Sequence, residues 1–179
     1  MPHIPVPAAE LNTRLDRLRC AMTEKDPAWS MLLLDNTLDM YYFTGTMQDG
    51  ALVVTPDQAT LFVRRSFDVA KDESAFADIR PMGSFRGIKE VYPDIPETVY
   101  VAAKTMTLQK LSMLNKHLPF APKPMDGVLS ALRSVKSAYE LDCMRESGKL
   151  HRYVIEGLTP AFLREGVSEA RLCSEICTA

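Results

Sequence analysis

Histidine, cysteine and glycine are scarce in this sequence, and long apolar runs are missing altogether. Of 179 residues only three are histidine, four cysteine and eight glycine. The histidines, His3, His117 and His151, are scattered, and none falls in an HExxH pair, so nothing here reads as a metal ligand. His117 at a helix end is explained by the helix dipole alone. Cys20 and Cys143 stand apart, while Cys173 and Cys177 are spaced i, i+4, which is neither a CxxC redox pair nor a complete ligand set; buried or half-buried free thiols are expected. No Gly-x-Ser-x-Gly, P-loop or Gly-x-Gly-x-x-Gly occurs. No apolar run approaches the about 18 residues needed to span a membrane. The start, Met1-Pro2-His3-Ile4-Pro5-Val6-Pro7, lacks the basic region and apolar core of a signal peptide, so a cytoplasmic location is expected. A net charge of -2 gives no electrostatic reason to expect nucleic acid or anionic membrane as a partner.

What is present is an ordinary globular composition, 46% hydrophobic and 25% charged, in a chain long enough for one domain, or one domain and the start of another. Leu11, Leu15, Leu18 and Met22 repeat at helical spacing, with Arg14, Asp16, Arg17 and Lys25 on the other face, and Asp26-Pro27 ends the helix. Trp29 to Leu34 is a continuous apolar run, the pattern of a strand buried on both faces. Asp35-Asn36-Thr37 is a turn, and the aromatic run Met40 to Phe43 ends at Thr44-Gly45. Ala51–Val54 and Thr60–Val63, joined through Pro56-Asp57, read as a hairpin. A helix capped by Ser66 follows, with Phe67, Val69, Ala70 and Phe76 turned inward. Asp78 to Met82 is a short edge strand, because Pro81 excludes a central ladder position. The stretch 83–96 is loop-rich with a helical turn near Ile88. Then come a strand over 98–102, a helix over 107–117, a strand over 118–123 and a short helix around Val128, Leu129 and Leu132. Strands alternating with helices indicate an α/β domain with a mixed sheet flanked by helices.

The carboxylates Asp35, Asp39 and Asp49 lie beside strands, where metal-dependent nucleases gather their acids, but turn geometry alone explains aspartate at such places. Arg64-Arg65 could clamp an anion, but a basic pair ending a strand is usually just solvated surface. No catalytic set stands out, and this chain alone does not read as an enzyme.

The last third opens with a capping box, Ser137 as N-cap and Glu140 at N3, followed by an apolar stripe of Tyr139, Leu141, Met144, Leu150, Val154 and Leu158. Ala170, Cys173, Ile176 and Cys177 form a further helical apolar face with nothing in the sequence to cover it.

Three stretches, in order, carry a family likeness. Leu132-Arg133-Ser134-Val135-Lys136-Ser137-Ala138-Tyr139-Glu140-Leu141, followed by Met144-Arg145, resembles the segment joining the two domains of the creatinase/prolidase/aminopeptidase P family. Leu38-Asp39-Met40-Tyr41-Tyr42-Phe43-Thr44-Gly45 is similar to the family's Asn-x-x-Tyr-Leu-Thr-Gly segment, with Asp39 for Asn and Phe43 for Leu. Glu165-Gly166-Val167-Ser168-Glu169 is similar to the Pro-Gly-x-Thr-Glu turn that opens a catalytic-domain helix, with Glu165 for Pro. The resemblance implies a ribonuclease H-like N-terminal domain over about 8–133. Residues 134–179 would then be a linker and the incomplete start of a "pita-bread" catalytic domain. It implies an Xaa-Pro metallopeptidase parent of dipeptidase or aminopeptidase P type, acting on proline-containing peptides with two Mn, Co or Zn ions. Those ions would be held beyond Ala179, with no cofactor in this chain. The implied role here is non-catalytic: packing against the chain's own catalytic domain, homodimerisation, and limiting substrate access through Thr46, Met47, Gln48, Asp49 and Gly50. Two other readings share the resemblance, a metal-free creatinase-like amidinohydrolase and a peptidase-like module that only binds.

Overall fold

A computed structural model describes residues 5–178. The chain divides into two compact units, Met1–Ser134 and Val135–Ala179.

The first unit is built on a six-stranded sheet. Helix α1 (Ala8–Lys25) leads to strand β1 (Leu32–Leu34), then α2 (Thr37–Thr44), β2 (Gly50–Val54), β3 (Ala59–Val63), α3 (Phe67–Glu73) and β4 (Ile79–Pro81). A 3-10 turn (Phe85–Gly87), α4 (Ile88–Val91), β5 (Thr98–Val101), α5 (Leu108–Asn115), β6 (Ala121–Pro124) and α6 (Asp126–Ser134) complete it. The order across the sheet is β4-β3-β2-β1-β5-β6. The neighbours β1, β2 and β3 run antiparallel, while β4, β5 and β6 each join in parallel. The mixed sheet expected from the sequence is therefore present, with its hairpin at β2–β3 in the register Val54↔Ala59.

Alternation along the strands sends side chains to two cores. Leu32, Leu34, Leu52, Leu61 and Val63 pack with residues of α1, α2 and α6. Leu33, Val53, Phe62, Val99 and Val101 face the opposite way, toward Phe85, Ile88, Leu114 and Phe120. All three residues of β1 are buried, which is why its sequence is apolar without interruption.

Both outer strands carry proline. In β6 the amides of Ala121 and Met125 bracket the strand and turn toward β5, bonding Glu97 and Val101. Alternation then directs positions 122 and 124 outward, and both are proline. In β4 the outward positions are Ile79 and Pro81, since Met82 N bonds inward to Val63 O.

Several local expectations are corrected. The aromatic run Met40 to Phe43 is helical: Asn36 caps α2 by accepting from Asp39 N at 2.9 Å, and Gly45 ends it with φ 75°. Asn36 is thus a helix cap, not merely a turn residue. Arg14, placed on the polar face by its charge, is buried. Ser66 does not cap α3 through its side chain; its backbone is left-handed, φ 58°. Val69 is exposed rather than inward-facing. The strand expected over 118–123 begins only at Ala121, because Leu118 and Phe120 pack on the α5 side of the sheet. All four cysteines are exposed. Pro2 and His3 lie outside the described residues, as does the side chain of Leu158.

The end of α6 is held by three side chains. Leu132 O accepts from Tyr42 Oη at 3.3 Å and from Arg17 Nη2 at 3.4 Å, and Arg133 is ion-paired with Asp39. Helices α1, α2 and α6 are thereby joined by polar contacts as well as packing.

The second unit contains α7 (Ala138–Arg152), a π-helical stretch (Tyr153–Leu158), α8 (Thr159–Phe162) and α9 (Glu169–Thr178). The capping box is formed: Glu140 N donates to Ser137 Oγ at 3.1 Å and Ser137 N to Glu140 Oε2 at 2.9 Å. Gly166 takes φ 83°, and Ser168 Oγ accepts from Arg171 N at 3.2 Å to open α9. The apolar stripe of α7 is not covered within this unit; Leu141, Met144 and Leu150 are exposed.

Candidate functional site

The stretch singled out for substrate access joins α2 to β2. Its first residue, Thr46, is buried, and its Oγ1 donates to Glu73 at the end of α3. Gln48 Nε2 donates to the same Glu73 oxygen at 3.1 Å, and Gln48 N to Thr46 Oγ1 at 3.2 Å. Ser74 Oγ donates to Thr44 O just upstream. At the other end Asp49 Oδ2 accepts from Arg64 Nε at 2.8 Å and Nη2 at 2.6 Å, while Arg64 N donates to Asp49 O at 2.7 Å. The segment is therefore tied down on both sides, and Met47, 57% exposed, stands at its tip.

Gly50 is not a loop residue. It is buried as the first residue of β2, and a Cβ there would sit 2.0 Å from Phe62 O. Only glycine allows β2 and β3 to approach this closely. So the five residues consist of a buried anchor, a short loop bearing one exposed apolar side chain, and a strand start.

The loop holds no nucleophile–base pair. Chemically it can present Met47 on a braced backbone, with a thioether suited to varied apolar surfaces.

The three aspartates considered as nuclease-like acids are not brought together as a metal site. Each has a cation of its own. Asp35 Oδ2 lies 2.8 Å from Lys110 Nζ, which also donates to Asp35 O at 3.0 Å. Asp39 pairs with Arg133 and Asp49 with Arg64. Asp35 Oδ1 is buried with no hydrogen-bond partner among the described residues. Among those residues no three or more His, Cys, Asp or Glu side chains gather as a metal site. The residues present do not fit a pair of divalent ions. His117 follows the end of α5, and His151 Nδ1 lies 2.8 Å from Ser147 O within α7.

A separate polar knot sits where α1 meets β5 and β6. Asp26 accepts from Tyr100 Oη at 2.7 Å, Lys123 Nζ at 2.9 Å and Ala28 N at 3.1 Å. The tyrosine and lysine hydrogen bonds, with that amide, hold its carboxyl down at about 2. On the other side of the sheet, burial pushes the Tyr92 phenol up.

Sequence reasoning missed the partners more than the loop. Nothing in the residues around Glu73 marks it as the acceptor for Thr46 and Gln48, since that contact is 25 to 27 positions away.

The family model described as Creatinase/Prolidase N-terminal domain matches residues 14–135. The chain belongs to that family. Among solved structures, an Xaa-Pro dipeptidase from Bacillus anthracis is similar at a TM-score of 0.79 and 20% identity, over 93% of this chain and 47% of that one. A dipeptidase from Mycobacterium ulcerans is similar at 0.76 and 25%, over 98% and 50%. The Creatinase/Prolidase N-terminal domain of an X-Pro dipeptidase from Streptococcus pyogenes is similar at 0.56 and 18%, over 67% and 98%. The chain thus spans about half the length of the two dipeptidases. A comparison with curated proteins returned no match. Among the described residues no helix is long and apolar enough to cross a membrane.

Proposed function

We propose that this chain is the N-terminal, non-catalytic part of a cytoplasmic Xaa-Pro metallopeptidase, of dipeptidase or aminopeptidase P type. The observation that carries the reading is the family match over 14–135, together with a fold likeness to dipeptidases of which this chain spans about half. The two divalent ions would be bound by a catalytic domain outside this chain. In this reading 134–179 is the linker and first part of that domain, and the exposed stripe of α7 packs against its remainder. The first unit serves assembly as a homodimer and access of proline-containing peptides, with Thr46 to Asp49 as the segment nearest the substrate path.

The test is to read the coding frame beyond Ala179 and to assay both products. A frame that continues with Asp, Asp, His, Glu and Glu in order is expected. The long product should cleave Xaa-Pro dipeptides or aminoacyl-proline peptides with bound metal, and the 179-residue chain should be inert. Cleavage by the 179 residues alone would overturn the proposal. A continuation without the ligand set would favour a metal-free amidinohydrolase or a binding module instead.

A further inference from the structure

On the face of the sheet away from α1, the chain leaves edge strand β4 and turns through Gly83 and Ser84 into the 3-10 turn. Met82 and Phe85, flanking that turn, are buried against the sheet. The end of α5 brings Met113, Lys116 and His117 alongside, and Arg64 follows directly from β3. Together they line an open cavity of about 250 Å³.

The lining is one-sided in charge. It includes a guanidinium, an ammonium and an imidazole, and no carboxylate. The Lys116 ammonium and the His117 ring have no hydrogen-bond or ion-pair partner among the described residues. Arg64 gives Nε and Nη2 to Asp49, leaving Nη1 uncommitted. The remainder of the wall is thioether and phenyl, with Ser84 contributing a hydroxyl.

A helix carboxyl end attracts lysine and histidine through its dipole, which accounts for Lys116 and His117 taken alone. It does not account for Arg64 arriving from a strand, nor for the Met82–Phe85 floor beneath all three. An ammonium, a guanidinium and an imidazole above an apolar floor fit a ligand with a negative head and an apolar body. The volume, below the about 300–1,000 Å³ of sites for larger ligands, suits a single residue.

We propose that this cavity binds the free C-terminal carboxylate of a peptide ending in an apolar residue. The carboxylate meets Lys116 and His117, with Arg64 and Ser84 close by, and the side chain lies on Met82 and Phe85. A free amino acid is disfavoured because its ammonium group would lie beside Lys116 and Arg64, and Asp49, the acid bonded to Arg64, is already paired.

The probes are N-acetyl-leucine, N-acetyl-leucinamide and leucine, titrated into the 179-residue chain at pH 7 and followed by amide NMR. N-acetyl-leucine should shift the amides of Gly83, Ser84, Lys116 and His117 saturably. The amide and free leucine should each bind about tenfold more weakly, the loss expected when one charge-assisted contact is removed or opposed. Lys116→Ala, at an exposed position, should cost a similar factor and leave the rest of the spectrum in place. Asp49→Asn should tighten binding by releasing Arg64. Absence of saturable shifts at these residues, equal affinity for acid and amide, or an unaffected Lys116→Ala variant would overturn the site. Equal affinity for leucine and its N-acetyl form would overturn the peptide-terminus assignment. A weaker Asp49→Asn variant would overturn the role of Arg64. None of these outcomes depends on peptidase activity.

Discussion

Arg14 donates from Nη1 to the backbone carbonyl of Tyr42 at 2.7 Å and stacks over the ring of the same tyrosine, 4.4 Å from its centre. One buried side chain thereby joins the first two helices through both a directed bond and a cation–π contact. Its Nε is spent on Glu10 at 2.8 Å, so the positive charge is matched where it is buried. Arg14→Ala would leave Glu10 and the Tyr42 carbonyl without this donor. A loss of about 3 kcal/mol is expected, as for other broken buried pairs, read as a lower urea midpoint.

Gly50→Ala puts a methyl group 2.0 Å from Phe62 O, inside the ladder between β2 and β3. Neither backbone can yield without breaking the register that buries Leu52 and Leu61, so a loss above about 3 kcal/mol or failure to fold is expected. Gly127→Ala is the control. Nothing lies within 4 Å of the added carbon there, and the change should be neutral or stabilise by about 0.5 kcal/mol.

The carboxyl of Asp26, held at about 2 against an ordinary 3.8, ties acid stability to the knot with Tyr100 and Lys123. Its folded value is depressed, so its contribution is complete above pH of about 4 and disappears as pH falls through about 2. Asp26→Asn should lower Tm at pH 5 and flatten the change in Tm between pH 5 and 2. Parallel Tm–pH curves for the two proteins would contradict this.

Glu73 anchors the segment between α2 and β2 by accepting from Thr46 and Gln48. In Glu73→Ala the amides of 46–49 should exchange with solvent at least tenfold faster, and proteolytic nicking near Met47 should increase. Amides within β2 and β3 should keep their protection.

Ser66 is the one non-glycine residue with positive φ among the described residues. The left-handed region costs a residue with a Cβ about 1 kcal/mol. Ser66→Gly should therefore leave Tm unchanged or raise it by a few degrees, despite glycine's greater freedom in the unfolded chain.

The elements that the sequence announced clearly were those with regular periods or strong punctuation. The α1 stripe at Leu11, Leu15, Leu18 and Met22 is buried throughout, and the capping box at Ser137 and Glu140 is formed. Proline marked β4 as an edge strand because a missing N–H excludes a central ladder position. Charge misled at Arg14: its burial depends on Glu10 and on a carbonyl 28 residues away, and a helical wheel encodes neither. Cysteine misled in the other direction. Its usual preference for burial gave way at Cys143, Cys173 and Cys177, which lie on α7 and α9, where no described residue is buried. The segment between α2 and β2 was legible as a loop from its turn residues. Its anchoring by Glu73 and Arg64 was not, because side-chain pairing across distant elements leaves no local pattern.

The prolines at 81, 122 and 124 have a consequence for how this molecule can meet others. Of the four outward amide positions on β4 and β6, three carry no hydrogen to donate. An extended peptide laid along either margin would find acceptors but almost no donors, and the alternating ladder that drives strand addition could not be completed. Copies of the protein meet the same refusal, whether in ordered assembly or in the sheet-stacked aggregates that unprotected margins seed. Recognition by this unit is thereby directed to side chains, on its helices, its braced loop and its cavities.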